Sequence, residues 1–480
     1  MAAEINAGAF APENAEHNFE KKERPDVHFV LPVPSGFSLE KAVCSYGFFM
    51  MAPNAWVTSS SSSDCTLSSY LERPLRLLDG SAVLASISQS NDELVVCIVG
   101  VEVLSDADKE KILTQVERML RLSQAESFTI GSFHDLHLQA KEDGFGRLFR
   151  SPTLFEDMIK SLLLCNCGWK RTLMMARALC ELQAELKGSP SGLSDKKLGR
   201  MEGPRTPEGR DVKRKACPKK GRYSKTRRFL ELNETVEHVN MAAICLGTQE
   251  EKLCKPKQVA HIEMAGRDLE NGVSLRDLDS KEKAYVPSKG EALHGRRNDL
   301  PGFVSGCGSV IGDFPTPEEL CCFDAKFLAK RCGLGYRAES VSKLAKSICD
   351  GTVDLQLLEH AEREPSLRSD VRSRLLQIHG FGPFTSANIL MCMGDYSIIP
   401  ADTETIRHLR QVHGRLKCTA ATVADEAATL YAPYEPYQFL SYWFELWGSY
   451  EQRFGKLSCM DPQFYNVFTG RNMSREPQGP

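Results

Sequence analysis

Leu376-Gln377-Ile378-His379-Gly380-Phe381-Gly382-Pro383-Phe384-Thr385-Ser386-Ala387-Asn388-Ile389-Leu390 is the stretch on which the reading of this 480-residue chain turns. It reads as the apolar end of one helix, a Gly-Phe-Gly turn and the start of a second apolar helix. Two glycines one residue apart permit a tight reversal and a close backbone approach. The first amides of the second helix lack intrahelical partners, so they are free to meet an anion such as a phosphate. A Gly-x-Gly alone says little, since Gly144-Phe145-Gly146 has the same form without helical flanks. A plain turn between two helices is the competing reading.

Working outward, Pro400-Ala401-Asp402 follows about twenty residues later, and Thr403 to Val412 then reads as a helix. Asp402 sits where a helix N-cap belongs, and capping alone would explain it. Upstream, Asp313-Phe314-Pro315-Thr316-Pro317-Glu318-Glu319 is a helix start, and helices follow to about residue 455. Further back, Ser151-Pro152 opens a helix that carries Leu154, Phe155, Met158, Ile159 and Leu162 and runs to Leu164. Trp169 to Leu182 reads as the next helix. Asp106 to Leu122 has apolar residues at Ile112, Val116, Met119 and Leu122, a helical period. Before that the pattern is strand-like. Val27 to Val33 is an apolar run closed by Pro34, Ser81 to Ser88 alternates, and Leu94 to Val99 is β-favouring after the Asn91-Asp92 turn.

The expected class is therefore α+β, mostly helical, with a small antiparallel sheet and a long disordered insertion. The expected divisions are a disordered N-terminus over 1–25, the sheet domain over 26–104 and a first helical part over 105–186. A basic insertion over 187–311, a second helical part over 312–455 and a flexible tail over 456–480 complete the chain. The insertion is rich in Lys, Gly, Ser, Pro and Glu, a composition that buries little apolar surface.

Apolar content of 42% suffices for a sizeable core, and net charge is −3. No apolar run approaches a membrane span, and the polar N-terminus lacks a signal peptide's apolar stretch, so neither membrane nor secretion is expected. The 17 cysteines are scattered, without metal-ligand spacing, and are read as reduced thiols; no metal and no cofactor is expected.

The turn followed by Pro-x-Asp resembles the base-excision DNA glycosylases of the helix-hairpin-helix superfamily. Leu334-Gly335-Tyr336-Arg337-Ala338 is similar to a helix of their alkyladenine and 8-oxoguanine branches. Arg150-Ser151-Pro152 running to Cys165-Asn166-Cys167-Gly168-Trp169-Lys170-Arg171 is similar to their first long core helix and the wedge loop after it. The resemblance implies double-stranded DNA with damaged bases as partner. It implies Asp402 as the catalytic carboxylate beside the sugar of a flipped-out nucleotide. Gly380, Phe381, Gly382, Phe384 and Thr385 would contact DNA, with Asn166 and Arg171 at the wedge. Tyr336 and Arg337 are expected to be structural, and a monomer is expected. Bifunctional members carry a lysine where this chain has Phe384, so a monofunctional enzyme without lysine-dependent strand cleavage is expected. The rival function is a non-catalytic reader of damaged DNA with the same fold.

Between Tyr431 and Phe454 ten of twenty-four residues are aromatic, against 8% overall. Phe439, Tyr442, Trp443 and Trp447 fall on or near one helical face, and core packing would explain many of them. In the resembled family this helix lines the base pocket, so Phe439 and Trp443 join Phe384 and Asn388 as pocket candidates. An aromatic pocket favours a cationic alkylated purine over a neutral 8-oxoguanine.

Lys187 to Arg228 holds fifteen Lys/Arg against four Asp/Glu. Within it Lys213, Arg214, Lys215, Lys219, Lys220, Arg227 and Arg228 read as a nuclear import signal, to be met by an import receptor, or as a DNA-tethering arm. A solvated linker is the bland alternative. A nuclear enzyme is the expectation.

Overall fold

The computed structural model describes residues 26–58, 69–188, 303–304, 310–364, 367 and 370–473. The N-terminus over 1–25, most of the insertion and the whole import candidate from Lys213 to Arg228 lie outside the described residues.

Strands β1 (Val27–Pro32), β2 (Ala55–Val57), β3 (Tyr70–Arg76), β4 (Ala82–Ser90) and β5 (Glu93–Ile98) form one antiparallel sheet in the order β1-β5-β4-β3-β2. Alternation decides its faces: Leu94, Val96 and Ile98 point inward from β5, as do Ala85 and Ile87 from β4. Asn91 takes the left-handed backbone (φ 54) that the tight β4–β5 turn requires.

The sequence of β3, Tyr-Leu-Glu-Arg-Pro-Leu-Arg, carries little strand signal, having two arginines, a glutamate and a proline. Leu71, Arg73 and Leu75 nevertheless share its inward face, and all three are fully buried. Pro74 is tolerated because β2 pairs only with Tyr70 to Glu72, leaving an open edge beyond.

The helices are α1 (Leu39–Val43), α2 (Asp106–Leu120), α3 (Gln124–Leu136), α4 (Leu138–Glu142), α5 (Leu154–Leu164) and α6 (Trp169–Gly188). After the insertion come α7 (Pro317–Cys321), α8 (Ala325–Arg331), α9 (Arg337–Cys349), α10 (Leu355–Arg363), α11 (Val371–Gln377) and α12 (Pro383–Cys392). Then follow α13 (Thr403–Gln411), α14 (Val423–Tyr431), α15 (Gln438–Phe454) and α16 (Gly470–Met473). The mostly helical α+β class holds, and no described helix is long and apolar enough to cross a membrane.

Local chemistry sets the helix starts. Ser105 and Thr153 cap α2 and α5, and Thr316 with Glu319 closes a capping box on α7. α5 is buried almost all round. Leu154, Phe155, Met158, Ile159, Leu162 and Leu163 each stabilise the fold by about 1.5–3 kcal/mol through burial.

The same helix buries Glu156, Asp157 and Lys160, which are matched by charges from elsewhere. Glu156 meets Arg73 at 3.2 Å and Lys160 at 2.7 Å, and Arg73 also reaches Asp313 at 3.4 Å. Asp157 takes Arg118 at 2.8 Å. Sheet, core helix and the chain returning from the insertion are thereby joined.

The expected loose tail is a correction. Leu457 is fully buried, Tyr465 and Phe468 are nearly so, and Phe468 packs on Tyr450 with ring centroids 4.2 Å apart. The segment through residue 473 belongs to the core because its aromatics cover α15.

Candidate active site

The Gly-Phe-Gly turn links α11 to α12 as expected. Phe381 is buried and anchors the turn to the core. Gly380 has φ 90, and a Cβ there would stand 2.2 Å from Ser340 Oγ and 2.6 Å from Ser340 Cβ on α9. Any side chain is excluded on two counts. We expect Gly380→Ala to cost about 2–4 kcal/mol, the left-handed backbone and the clash together. Urea unfolding measures it, and Ser340→Gly should restore at least about 1 kcal/mol of the loss in the double variant. A single-variant cost under ~1 kcal/mol would show that the turn is not held this way.

Gly382 is the N-cap of α12, with no side-chain cap, and Pro383 occupies the first turn. This helix end is thus presented without a side chain closing it. Phe384 is half-buried, and Thr385 is buried with its hydroxyl 2.8 Å from Cys165 Sγ.

Cys165 begins the loop between α5 and α6. Asn166 is exposed in a left-handed conformation (φ 46), a strained place that asparagine tolerates. The segment around Tyr336 clamps this loop. The Tyr336 hydroxyl (3.3 Å) and the buried Arg337 guanidinium both donate to the Cys165 carbonyl. Arg171 is exposed but donates to the Gly333 carbonyl at 3.1 Å, so part of its guanidinium is committed within the protein. Tyr336 and Arg337 hold this loop, and Ser340, a turn further on, packs against Gly380 of the hairpin.

Asp402 caps α13, and it is only half-buried. Its Oδ1 accepts from Glu404 N (2.9 Å), Thr405 N (2.9 Å) and Thr405 Oγ1 (3.1 Å). Among the described residues Oδ2 has no hydrogen-bond donor. One oxygen fixes the carboxylate, so capping the helix does not use up the other. Thr405 Oγ1 also lies 3.1 Å from the Tyr442 hydroxyl, which ties α13 to α15. Desolvation raises the Asp402 pKa above the usual aspartate value; Thr405's hydrogen bonds oppose this and the nearby Glu404 charge adds to it.

The aromatic stripe divides. Phe439 is fully buried and stacks on Trp443 at 5.7 Å, so it backs that ring and offers no open face. Trp443 is half-buried and donates Nε1 to the Ser45 carbonyl at 2.8 Å. Asn388 is buried. Its Oδ1 accepts from the Tyr46 hydroxyl at 2.7 Å, and its Nδ2 donates to the Phe384 carbonyl at 2.8 Å. Its amide is therefore largely spent on positioning.

Tyr46 joins the site from far away in the sequence. Its ring lies 4.8 Å from Trp443, and its hydroxyl meets a residue 342 positions away. Burial, then the charges of Cys392, Asp157 and Asp402, push its phenol well up, so it stays a neutral donor. No local signal marks it, because only the fold brings it to α12.

The site thus brings together a Gly-Phe-Gly hairpin, the loop after α5 and a carboxylate with one oxygen that has no hydrogen-bond donor among the described residues. No family model matches the chain, and no curated protein matches it by sequence. Among solved structures it is similar to a 3-methyladenine DNA glycosylase from Archaeoglobus fulgidus, at 15% identity and TM-score 0.46, over 89% of this chain and 99% of that one. It is also similar to an 8-oxoguanine glycosylase/lyase of Clostridium acetobutylicum bound to DNA with cytosine opposite 8-oxoguanine. That likeness is at 11% identity and TM-score 0.38, over 82% of this chain and 96% of that one. MBOgg1 in complex with a low-affinity DNA ligand is similar at 12% identity and TM-score 0.39, over 82% and 99% of the two chains.

Proposed function

We propose that this chain is a DNA-repair glycosylase that hydrolyses the bond between a damaged purine and its sugar, with Asp402 as the catalytic carboxylate. The observation that carries this is the split use of Asp402: Oδ1 is held by three donors, and Oδ2 is left without one among the described residues.

The glycosidic bond is inaccessible in a stacked duplex, so the nucleotide is flipped out first. Asn166 and Arg171 fill the gap, and the open end of α12 takes a backbone phosphate. As the base departs, positive charge develops on the sugar. Asp402 Oδ2 stabilises it and orients or deprotonates the attacking water. Trp443, backed by Phe439 and flanked by Tyr46, offers an aromatic face to a cationic base, which favours alkylated purines over 8-oxoguanine. Phe384 stands where a Schiff-base lysine would be needed, so the enzyme leaves an intact abasic strand. The basic run from Lys213 to Arg228 would direct a monomeric enzyme to the nucleus.

The test uses labelled duplexes with one alkylated adenine, one 8-oxoguanine opposite cytosine, or one uracil. The expected result is release of the alkylated base, with strand cuts only after hot alkali. Cuts without alkali would refute the argument from Phe384. Selective binding of lesion duplexes without release would instead establish a non-catalytic reader.

A further inference from the structure

Beyond Asp402, the far end of α13 carries a cluster that base excision does not use. His408 and His413 both turn Nε2 toward Glu445 Oε2 of α15, at 3.3 and 2.8 Å. The Tyr431 hydroxyl, from the end of α14, lies 2.5 Å from the same oxygen and 3.3 and 3.2 Å from the two ring nitrogens. The ligand atoms of His408, His413 and Glu445 all lie within 4.8 Å of one another.

Tetrahedral zinc with bonds of about 2.0–2.1 Å places its ligand atoms roughly 3.3 Å apart. His408–Glu445 (3.3 Å) and the two Tyr431–imidazole separations (3.3 and 3.2 Å) match this, while His413 (2.8 Å) and Tyr431 (2.5 Å) would each draw back from Glu445 by less than about 1 Å. Two imidazoles and a carboxylate are a donor set that zinc favours. Without a cation, one carboxylate oxygen with two lone pairs faces three side chains that can donate. His408 is fully buried, whereas His413 and Glu445 keep 21% and 29% of their side-chain surface, so an ion has a way in.

We propose that His408, His413 and Glu445 bind one divalent cation of the zinc class, with the Tyr431 hydroxyl or a water in the fourth position. The cation pins α13, whose other end is Asp402, to α14 and α15. Its role is structural, and it takes no part in the chemistry at Oδ2. His408 Nδ1 has no partner among the described residues. A supporting partner is worth roughly 10–100-fold in affinity, so this site should bind more weakly than one with both rings supported.

The experiment titrates cobalt(II), then zinc, into chelator-stripped full-length protein. Cobalt is expected to give visible bands of tetrahedral nitrogen and oxygen ligation, without the near-ultraviolet thiolate band that cysteine ligation would produce. Zinc should displace one equivalent and raise the melting temperature by about 2 °C or more. His413→Ala and the nearly isosteric Glu445→Gln should each weaken binding at least tenfold, while Asp402→Asn leaves it unchanged. The proposal is overturned by absent tetrahedral bands, by a thiolate band, or by affinity that survives both cluster variants.

Discussion

On the proposed function, Asp402→Asn protein should fold, bind lesion-bearing duplex and excise the base at least about 100-fold more slowly than the parent. The size follows from what the substitution removes. A preorganised charge aimed at a developing opposite charge is worth roughly 2.7–4 kcal/mol, or 10²–10³ in rate. The variant is chosen because asparagine caps helices about as well as aspartate, so Glu404 and Thr405 keep their acceptor. Single-turnover excision reads the loss, and duplex affinity read beside it should change little. Near-parental excision would reduce Asp402 to a cap.

The raised pKa adds two signed consequences. The proposed mechanism needs the ionised carboxylate, so the acid limb of the pH–rate profile should lie above the ordinary aspartate range, moved there chiefly by desolvation. For stability the sign is opposite to that of a salt-bridged carboxylate. A carboxyl whose folded pKa is raised contributes stability below its unfolded pKa and loses it as pH rises through the folded value. Near neutrality the ionised Asp402 therefore costs stability. The asparagine variant, neutral and still capping, should melt at or above the parental temperature. A less active but more stable variant is the signature of a charge kept for function.

The parts of this site that announced themselves in the sequence are those whose geometry is local. Gly380 needs a left-handed backbone, Pro383 opens a helix, and Asp402 caps one; each is dictated by a few adjacent residues. The resemblance of the flanking motifs to those of DNA glycosylases then supplied the functional reading. What stayed hidden depends on chain segments brought together from far apart. Tyr46 gains its meaning from Asn388 and Trp443, and nothing in Ser-Tyr-Gly-Phe-Phe predicts either partner. His408 and His413 look like the polar face of a helix and its exit until Glu445 and Tyr431 arrive. Phe439, read as pocket lining, is a supporting wall, since helical spacing cannot distinguish a ring facing a cavity from one behind it.

Arg73 is the extreme case of a residue whose charge hides its inward place, and it carries the largest expected stability effect. Arg73→Ala should lose about 3–5 kcal/mol, the cost of leaving buried charge uncompensated. Its guanidinium has no exposed surface. It contacts Glu156 and Asp313, and also donates to Asn54 Oδ1 at 2.9 Å and the Pro74 carbonyl at 3.1 Å. Desolvation pushes the Glu156 pKa up, yet Arg73 and Lys160 outweigh it and hold that carboxyl at about 2. A depressed folded pKa means stability present above the unfolded value of about 4.3 and lost as pH falls toward 2. In Arg73→Ala that acid loss should be smaller and end at higher pH, because only Lys160 still opposes desolvation and the folded pKa of Glu156 rises toward the unfolded value. Denaturant unfolding across pH 3–7 (roughly the range in which carboxylates titrate) measures both effects. The double variant Arg73→Ala with Asp313→Asn removes one charge of each sign and should regain at least about 1 kcal/mol over Arg73→Ala alone. A loss under ~1 kcal/mol would mean that water reaches these carboxylates. In that case the join between sheet, core helix and returning chain would rest on apolar packing, and a strand with three charges and a proline would owe its inward arginine to nothing but register.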